Sequence, residues 1–281
     1  MSAEMQQTER EQITIIQPSV RWTLGLVEAF RRHELLSLFV TRQISARYRQ
    51  MFLGVLWALV EPLGQLLLLT VVFGYLLKVN TGGYPYPVFA FAGMAAWLLF
   101  SRATLAVAGS LQENMGLISK VYFPRLILPL AAVSRELFDA MLMIVLLLVL
   151  AMAYGFPPTP RLLVLPVILM CSAMLALAVG LWMATLIVKF RDVRPILSLA
   201  LQAGMYVTPV VYSADLVPER FRFAYELNPM FWAVEFSRWA LFGKDIVMSP
   251  ALGWSAAVSL LLLLGGLITF SLFERMSVDV Q

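Results

Sequence analysis

The residues of this chain that could do chemistry are charged side chains at the edges of apolar runs. Arg42, Arg47 and Arg49 lead directly into "MFLGVLWALVEP" (51–62), where Glu61 and Pro62 interrupt the apolar pattern early. A guanidinium offers a planar fork of donors that suits a phosphate. These three arginines therefore fit lipid head groups, a phosphate-bearing substrate or a cytoplasmic partner. A second cluster, Arg135, Glu136 and Asp139, opens another apolar run. An ionisable residue at membrane depth marks a functional site by default, but Arg135 and Asp139 stand four apart and can neutralise each other along one helix face. Nothing else in the sequence assembles an enzyme. There is one histidine, His33, and one cysteine, Cys171, so neither a disulfide framework nor a His/Cys metal site can form. A GxxxxGK[ST] phosphate loop and an HExxH motif are both missing from the sequence. The expectation is no catalytic residue, no bound metal or cofactor, and no nucleic-acid partner.

Membrane helices must position these residues. The 281 residues are 60% hydrophobic and 14% charged, with a mean hydropathy of +0.81, whereas soluble domains are roughly one-quarter charged. The apolar runs predict an all-α integral membrane fold with six spans, at about 52–77, 88–110, 127–154, 162–188, 195–213 and 251–272. Glu61-Pro62 predicts a break early in the first. Arginines 10, 21, 31, 32, 42, 47 and 49 precede that span; Lys120 and Arg125 follow the second; Lys189, Arg191 and Arg194 follow the fourth. The alternate connections are poor in cations: 79–87 has none and 155–161 has only Arg161. The excess of lysine and arginine marks cytoplasmic loops, and an even number of spans brings the C-terminus to the side of the N-terminus. Residues 1–33 read as a cytoplasmic tail. The first 50 residues are too polar for a secretory core, so no cleaved signal is expected.

Residues 34–50 carry Leu36, Val40, Ile44 and Tyr48 at a spacing of four, with Arg42, Ser45 and Arg49 on the other side, which predicts an amphipathic interface helix. Between the fifth and sixth spans, within about 214–245, the pattern predicts two short helices, near 218–226 and 229–242, that enter from outside and return. Asn228 and Pro229 are a fitting N-cap and first helical residue, and Glu235 and Arg238 can pair three apart. Ser172, Ala176, Gly180 and Ala184 form a ladder of small residues that lets helices approach closely. These patterns alone leave two principal readings open. One is a secondary transporter, which would carry mid-membrane carboxylates and internal repeats. The other is a membrane subunit driven by a separate ATPase. A membrane-embedded enzyme is a third.

Several strings then narrow the choice: "ARYRQMFLGVLWALVEPL" (46–63), "AGMAAWLLFS" (92–101), "ENMGLISKVYFPRLILPL" (113–130), "FRDVRPILSLALQAGMYVTPVVYS" (190–213) and "LNPMFWAVEFSRWALFG" (227–243). In this order they resemble the permease subunits of type-2 ABC exporters, above all those that export O-antigen, capsule or teichoic-acid polysaccharides.

The resemblance implies a bacterial inner-membrane, multi-pass protein with both termini cytoplasmic, over a permease domain at 51–281. It implies a homodimer that works with two ATP-binding cassette subunits, which hold the ATP and magnesium. A coupling helix at about 113–125 would dock on the ATPase through Asn114, Gly116, Leu117, Ile118, Ser119, Lys120, Val121, Tyr122 and Phe123. The substrate would be a lipid-linked glycan moving between the two permeases, past Trp57, Gln202, Tyr206, Tyr212, Phe231 and Trp232. Arg42, Arg47 and Arg49 on the interface helix would meet membrane lipids or the substrate phosphate. A drug- or lipid-exporting relative of the same fold is the alternative.

Overall fold

A computed structural model describes residues 26–49, 51–52, 54–121, 123–243, 246 and 248–276. Most of the expected N-terminal tail, and Tyr122 of the expected coupling segment, lie outside these residues. The described residues form helices joined by loops, with no strand among them. A short α1 (Leu26–Arg31) and α2 (His33–Tyr48) precede α3 (Trp57–Leu69). A 3-10 turn, Gly54–Leu56, leads into α3, and a π-helical segment, Thr70–Leu76, extends it. Then come α4 (Tyr86–Glu113), the single turn α5 (Met115–Ile118), α6 (Ile127–Ala153) and α7 (Leu165–Lys189). The chain ends with α8 (Val193–Val207), α9 (Glu219–Glu226), α10 (Pro229–Phe242) and α11 (Ala251–Met276).

The core forms around α4, which packs against α3, α6, α7, α8 and α10. Its small residues make this possible: Ala90, Ala92, Gly93, Ala95, Ala96, Ala103 and Ala108 are all buried. Two apolar helices gain no hydrophobic energy over lipid by touching, so close packing and polar contacts must hold them together. The small-residue ladder on α7 meets α4 as expected. Ser172, Ala176, Gly180 and Ala184 are buried, and a Cβ on Gly180 would lie 2.5 Å from Val107 Cγ1. On the other side, Gly265 and Gly266 of α11 admit Trp182 of α7, whose Nε1 donates to the Leu262 carbonyl at 2.9 Å.

One expectation about the spans needs correcting. The first span is not broken at Glu61-Pro62: α3 runs through Pro62, which sits in its second turn. Proline so near a helix start removes one intrahelical bond, to Ala58, and the 3-10 entry at Gly54 gives the chain room to adjust. Five helical stretches among the described residues are long and apolar enough to cross a membrane: Gly54–Leu76, Tyr86–Glu113, Ile127–Ala153, Pro160–Lys189 and Ala251–Glu274. Over the expected fifth span, 195–213, the helix is the 15-residue α8, followed by a turn. Thr208 has φ −78° and ψ 136°, because the ring of Pro209 disfavours the helical conformation in the residue before it. The broken element still runs the length of α4. Arg194 bonds Glu113 at 2.6 Å at one end, Gly204 lies against Trp97, and the Tyr86 hydroxyl donates to the Val211 carbonyl at 3.0 Å at the other.

The two short helices after it have the boundaries the sequence predicts. Asn228 caps α10 by accepting from the Met230 N–H at 3.0 Å, a contact worth about 1 kcal/mol. Gly243, at φ +69°, ends it in the left-handed region.

Candidate functional site

Three surfaces collect the residues singled out from the sequence. The first is the interface helix. α2 packs lengthwise on α6 through Leu35, Leu36, Phe39, Val40 and Ile44, and Phe39 stacks on Phe123 with ring centroids 5.6 Å apart. Arg42 and Arg49 are exposed on the opposite face. Arg47 does not join them. It points into the protein, where its guanidinium reaches Glu136 Oε1 at 2.7 Å and Asp139 Oδ2 at 3.2 Å. Burial disfavours the Arg47 charge, but the two carboxylates outweigh it and hold the pKa above its ordinary value. Tyr48 donates to Asp139, and burial together with that bond raises its phenol pKa. The pairing expected between Arg135 and Asp139 is not formed: Arg135 bonds its neighbour Glu136 at 2.7 Å, and Asp139 is taken by α2.

The second surface is the turn after α4. α5 is one helical turn, with Met115, Gly116, Ser119, Lys120 and Val121 exposed and Asn114, Leu117 and Ile118 half-buried. Asn114 anchors it by donating to the Ser110 carbonyl at 2.9 Å. A cleft of about 440 Å³ lies beside the turn, walled by Leu111, Ile118, Arg125, Val188 and Phe273 among others. Phe123 is buried against α2 and presents no docking surface, so it leaves the expected set.

The third surface is the outer face of α8. Leu197, Leu201 and Met205 are buried at a spacing of four. Gln202 and Tyr206 therefore share the opposite, exposed face, with Tyr206 51% exposed. α3 reaches it through the Gln65 amide, which donates to Met205 Sδ at 3.2 Å; its Trp57 is also exposed. Tyr212 folds back on the end of α8. Its hydroxyl donates to the Tyr206 carbonyl at 3.1 Å and lies 3.5 Å from the Tyr225 hydroxyl. Phe231 and Trp232 are each 4% exposed, in a cluster with Ala214, and Trp232 donates to the Glu226 carbonyl at 2.7 Å. They are core residues, and the expectation that they line a passage is not carried forward.

Two features escaped the sequence reading. Arg238, fully enclosed, donates to the Val210 carbonyl at 2.7 Å and to Glu235 at 2.9 Å, and its guanidinium carbon lies 3.7 Å from the Phe89 ring centroid. It thereby satisfies a backbone carbonyl in the turn after α8. Arg102 of α4 meets Glu61 of α3 at 3.1 Å. Glu235–Arg238 was legible from its spacing; Val210 and Glu61 were not, because they lie on segments distant in sequence.

Comparison with known proteins places these surfaces in context. Residues 34–242 match the family model described as ABC-2 type transporter. The chain is 32% identical over 205 residues to the O-antigen export system permease protein RfbA of Myxococcus xanthus, covering 72% of this chain and 78% of that one. It is 26% identical over 247 residues to the protein of the same name from Klebsiella pneumoniae (86% and 92%). It is also 26% identical over 241 residues to the polysialic acid transport protein KpsM of Escherichia coli (83% and 91%).

Proposed function

The chain belongs to the ABC-2 type transporter membrane family, and from that premise we propose that it is the membrane subunit of an ATP-driven exporter of a lipid-linked polysaccharide. The observation that carries the reading is that relatives named for O-antigen export and polysialic acid transport align with most of this chain and cover most of their own lengths. Two copies would form the passage, each contributing α3 and α8. A glycan is apolar on its ring faces and polar at its rim. An exposed Tyr206 beside Gln202 suits both, without the strong grip that would stop a long chain from sliding. α8, with the turn after it, is the fifth crossing. α9 and α10 form the outer re-entrant pair, and both termini are cytoplasmic in a bacterial inner membrane.

The energy comes from outside this chain. α5 is short, exposed and anchored by Asn114, which suits a knob seated in a groove of an ATP-binding cassette subunit that holds the ATP and magnesium. Arg42 and Arg49 face away from the protein, where they would meet lipid phosphates. The test is reconstitution of the full-length chain with its cognate ATPase and a lipid-linked glycan in vesicles. ATP-dependent appearance of glycan on the far side is expected. ATP-dependent movement of a small amphiphile, with the glycan retained, would overturn the reading.

A further inference from the structure

Arg102 is in an unusual position for an arginine in an apolar helix. It lies 16 residues from the start of α4 and 11 from its end, about 24 Å and 16 Å along the axis. Its side chain is 15% exposed, and both terminal nitrogens are enclosed without a hydrogen bond of good geometry. Its ion partner, Glu61, is 71% exposed on a face of α3 that it shares with the exposed Trp57 and Leu68. A carboxylate presented to hydrocarbon costs several kcal/mol, so this face of α3 meets protein or water. Gln65, one turn along the same side of α3, touches Met205 of α8. The pair therefore lies on the side of α3 that meets the buried Met205 edge of α8.

The neighbouring charges leave Arg102 incompletely neutralised. Glu136 is taken by Arg47 and Arg135, and Asp139 by Arg47 and Tyr48. What remains to Arg102 is a long-range field from Asp139 and one contact with an exposed, movable carboxylate. A planar fork of donors, pre-positioned and weakly held, matches two oxygens of a phosphate. The geometry points to Arg102 as a receptor for the phosphate of a lipid-linked substrate, with Glu61 as the counter-ion that the phosphate displaces. This rests on the reading that the substrate is lipid-linked. It makes Glu61 both the ion partner of Arg102 and a competitor of the ligand.

Opposite signs provide the test. The full-length chain in lipid nanodiscs is titrated with a fluorescent polyprenyl pyrophosphate and, separately, with phosphatidylglycerol. R102Q is expected to weaken pyrophosphate binding about tenfold or more, and E61Q to tighten it about three- to tenfold, as loss of a charged contact and of a competing anion require. R102K, which keeps the charge and loses the fork, should fall between wild type and R102Q. A merely structural pair would instead move both variants the same way, with lower thermal stability. Unchanged or weaker binding in E61Q overturns the proposal, even if R102Q does not fold. An equal response to phosphatidylglycerol overturns the assignment to substrate and leaves an ordinary lipid site. Wild type that binds neither probe overturns the receptor, whereas the vesicle export assay decides the transport reading independently.

Discussion

Tyr206 and Trp232 are both aromatic and both stand near the outer ends of helices, yet one is half-exposed on α8 and the other is enclosed by α10 and its neighbours. Truncation should separate them. Tyr206→Ala removes a sliding surface and little packing, so export is expected to fall while the melting temperature stays within a degree or two of wild type. Trp232→Ala empties a filled site and breaks the bond to the Glu226 carbonyl, at a cost of about 3–5 kcal/mol. Thermal unfolding and glycan export measured on the same preparations check both. Arg42, Arg47 and Arg49 divide in the same way. Arg47→Gln leaves Asp139 without its cation and Glu136 with Arg135 alone, which for a buried group costs up to about 3–5 kcal/mol. Arg42→Gln and Arg49→Gln should leave the melting temperature unchanged and weaken sedimentation with anionic vesicles. Equal destabilisation by all three substitutions would contradict the structure.

Among the elements, α5 is the smallest and has the sharpest expected phenotype. A Cβ on Gly116 meets nothing within 4 Å, so Gly116→Trp is expected to fold normally and to block docking of an ATPase. ATP hydrolysis in the reconstituted complex would then no longer respond to substrate. Ile118→Asp is a less clean probe because Ile118 is half-buried and packs against the core. The α4–α7 contact gives a complementary, purely structural test. Gly180→Ala forces a methyl against Val107 and should destabilise by about 1–3 kcal/mol, with a smaller effect expected when Val107→Ala is added. How much of this architecture was legible depended on whether its determinant was local. Asn228-Pro229 and Gly243 fixed α10 because caps act within a turn. Pro209 ended α8 at Thr208, although the hydropathy of 195–213 invited a longer span. Pro62 had no such effect on α3, since its place near a helix start makes its cost small. The partners of Asp139 and Arg102, and the Val210 carbonyl that Arg238 meets, were not legible: each lies on a segment distant in sequence, and spacing rules speak only of neighbours on the same helix.

For the molecule as a whole, the alternation of cation-rich and cation-poor connections predicts the sidedness of every loop. In a Cys171→Ser background, cysteines at Asn80 and Glu219 should react with an impermeant reagent from outside, and a cysteine at Ser119 only after the membrane is opened. External labelling at Ser119 would invert the protein and remove α5 from the reach of any cytoplasmic ATPase. The broken fifth crossing also bears on how the chain enters the bilayer during synthesis. α8 is too short to be recognised as a span by length and apolarity, and carbonyls at its end and in the turn after it are satisfied by Tyr212, Tyr86 and Arg238. It follows that α8 inserts against a surface already made. α4 and α7 supply that surface and precede it in the chain, whereas Arg238 arrives only afterwards. Residues 190–213 fused alone behind a reporter should stay outside the membrane, and the same residues following 1–189 should be drawn in, with full protection from protease only once synthesis has passed α10.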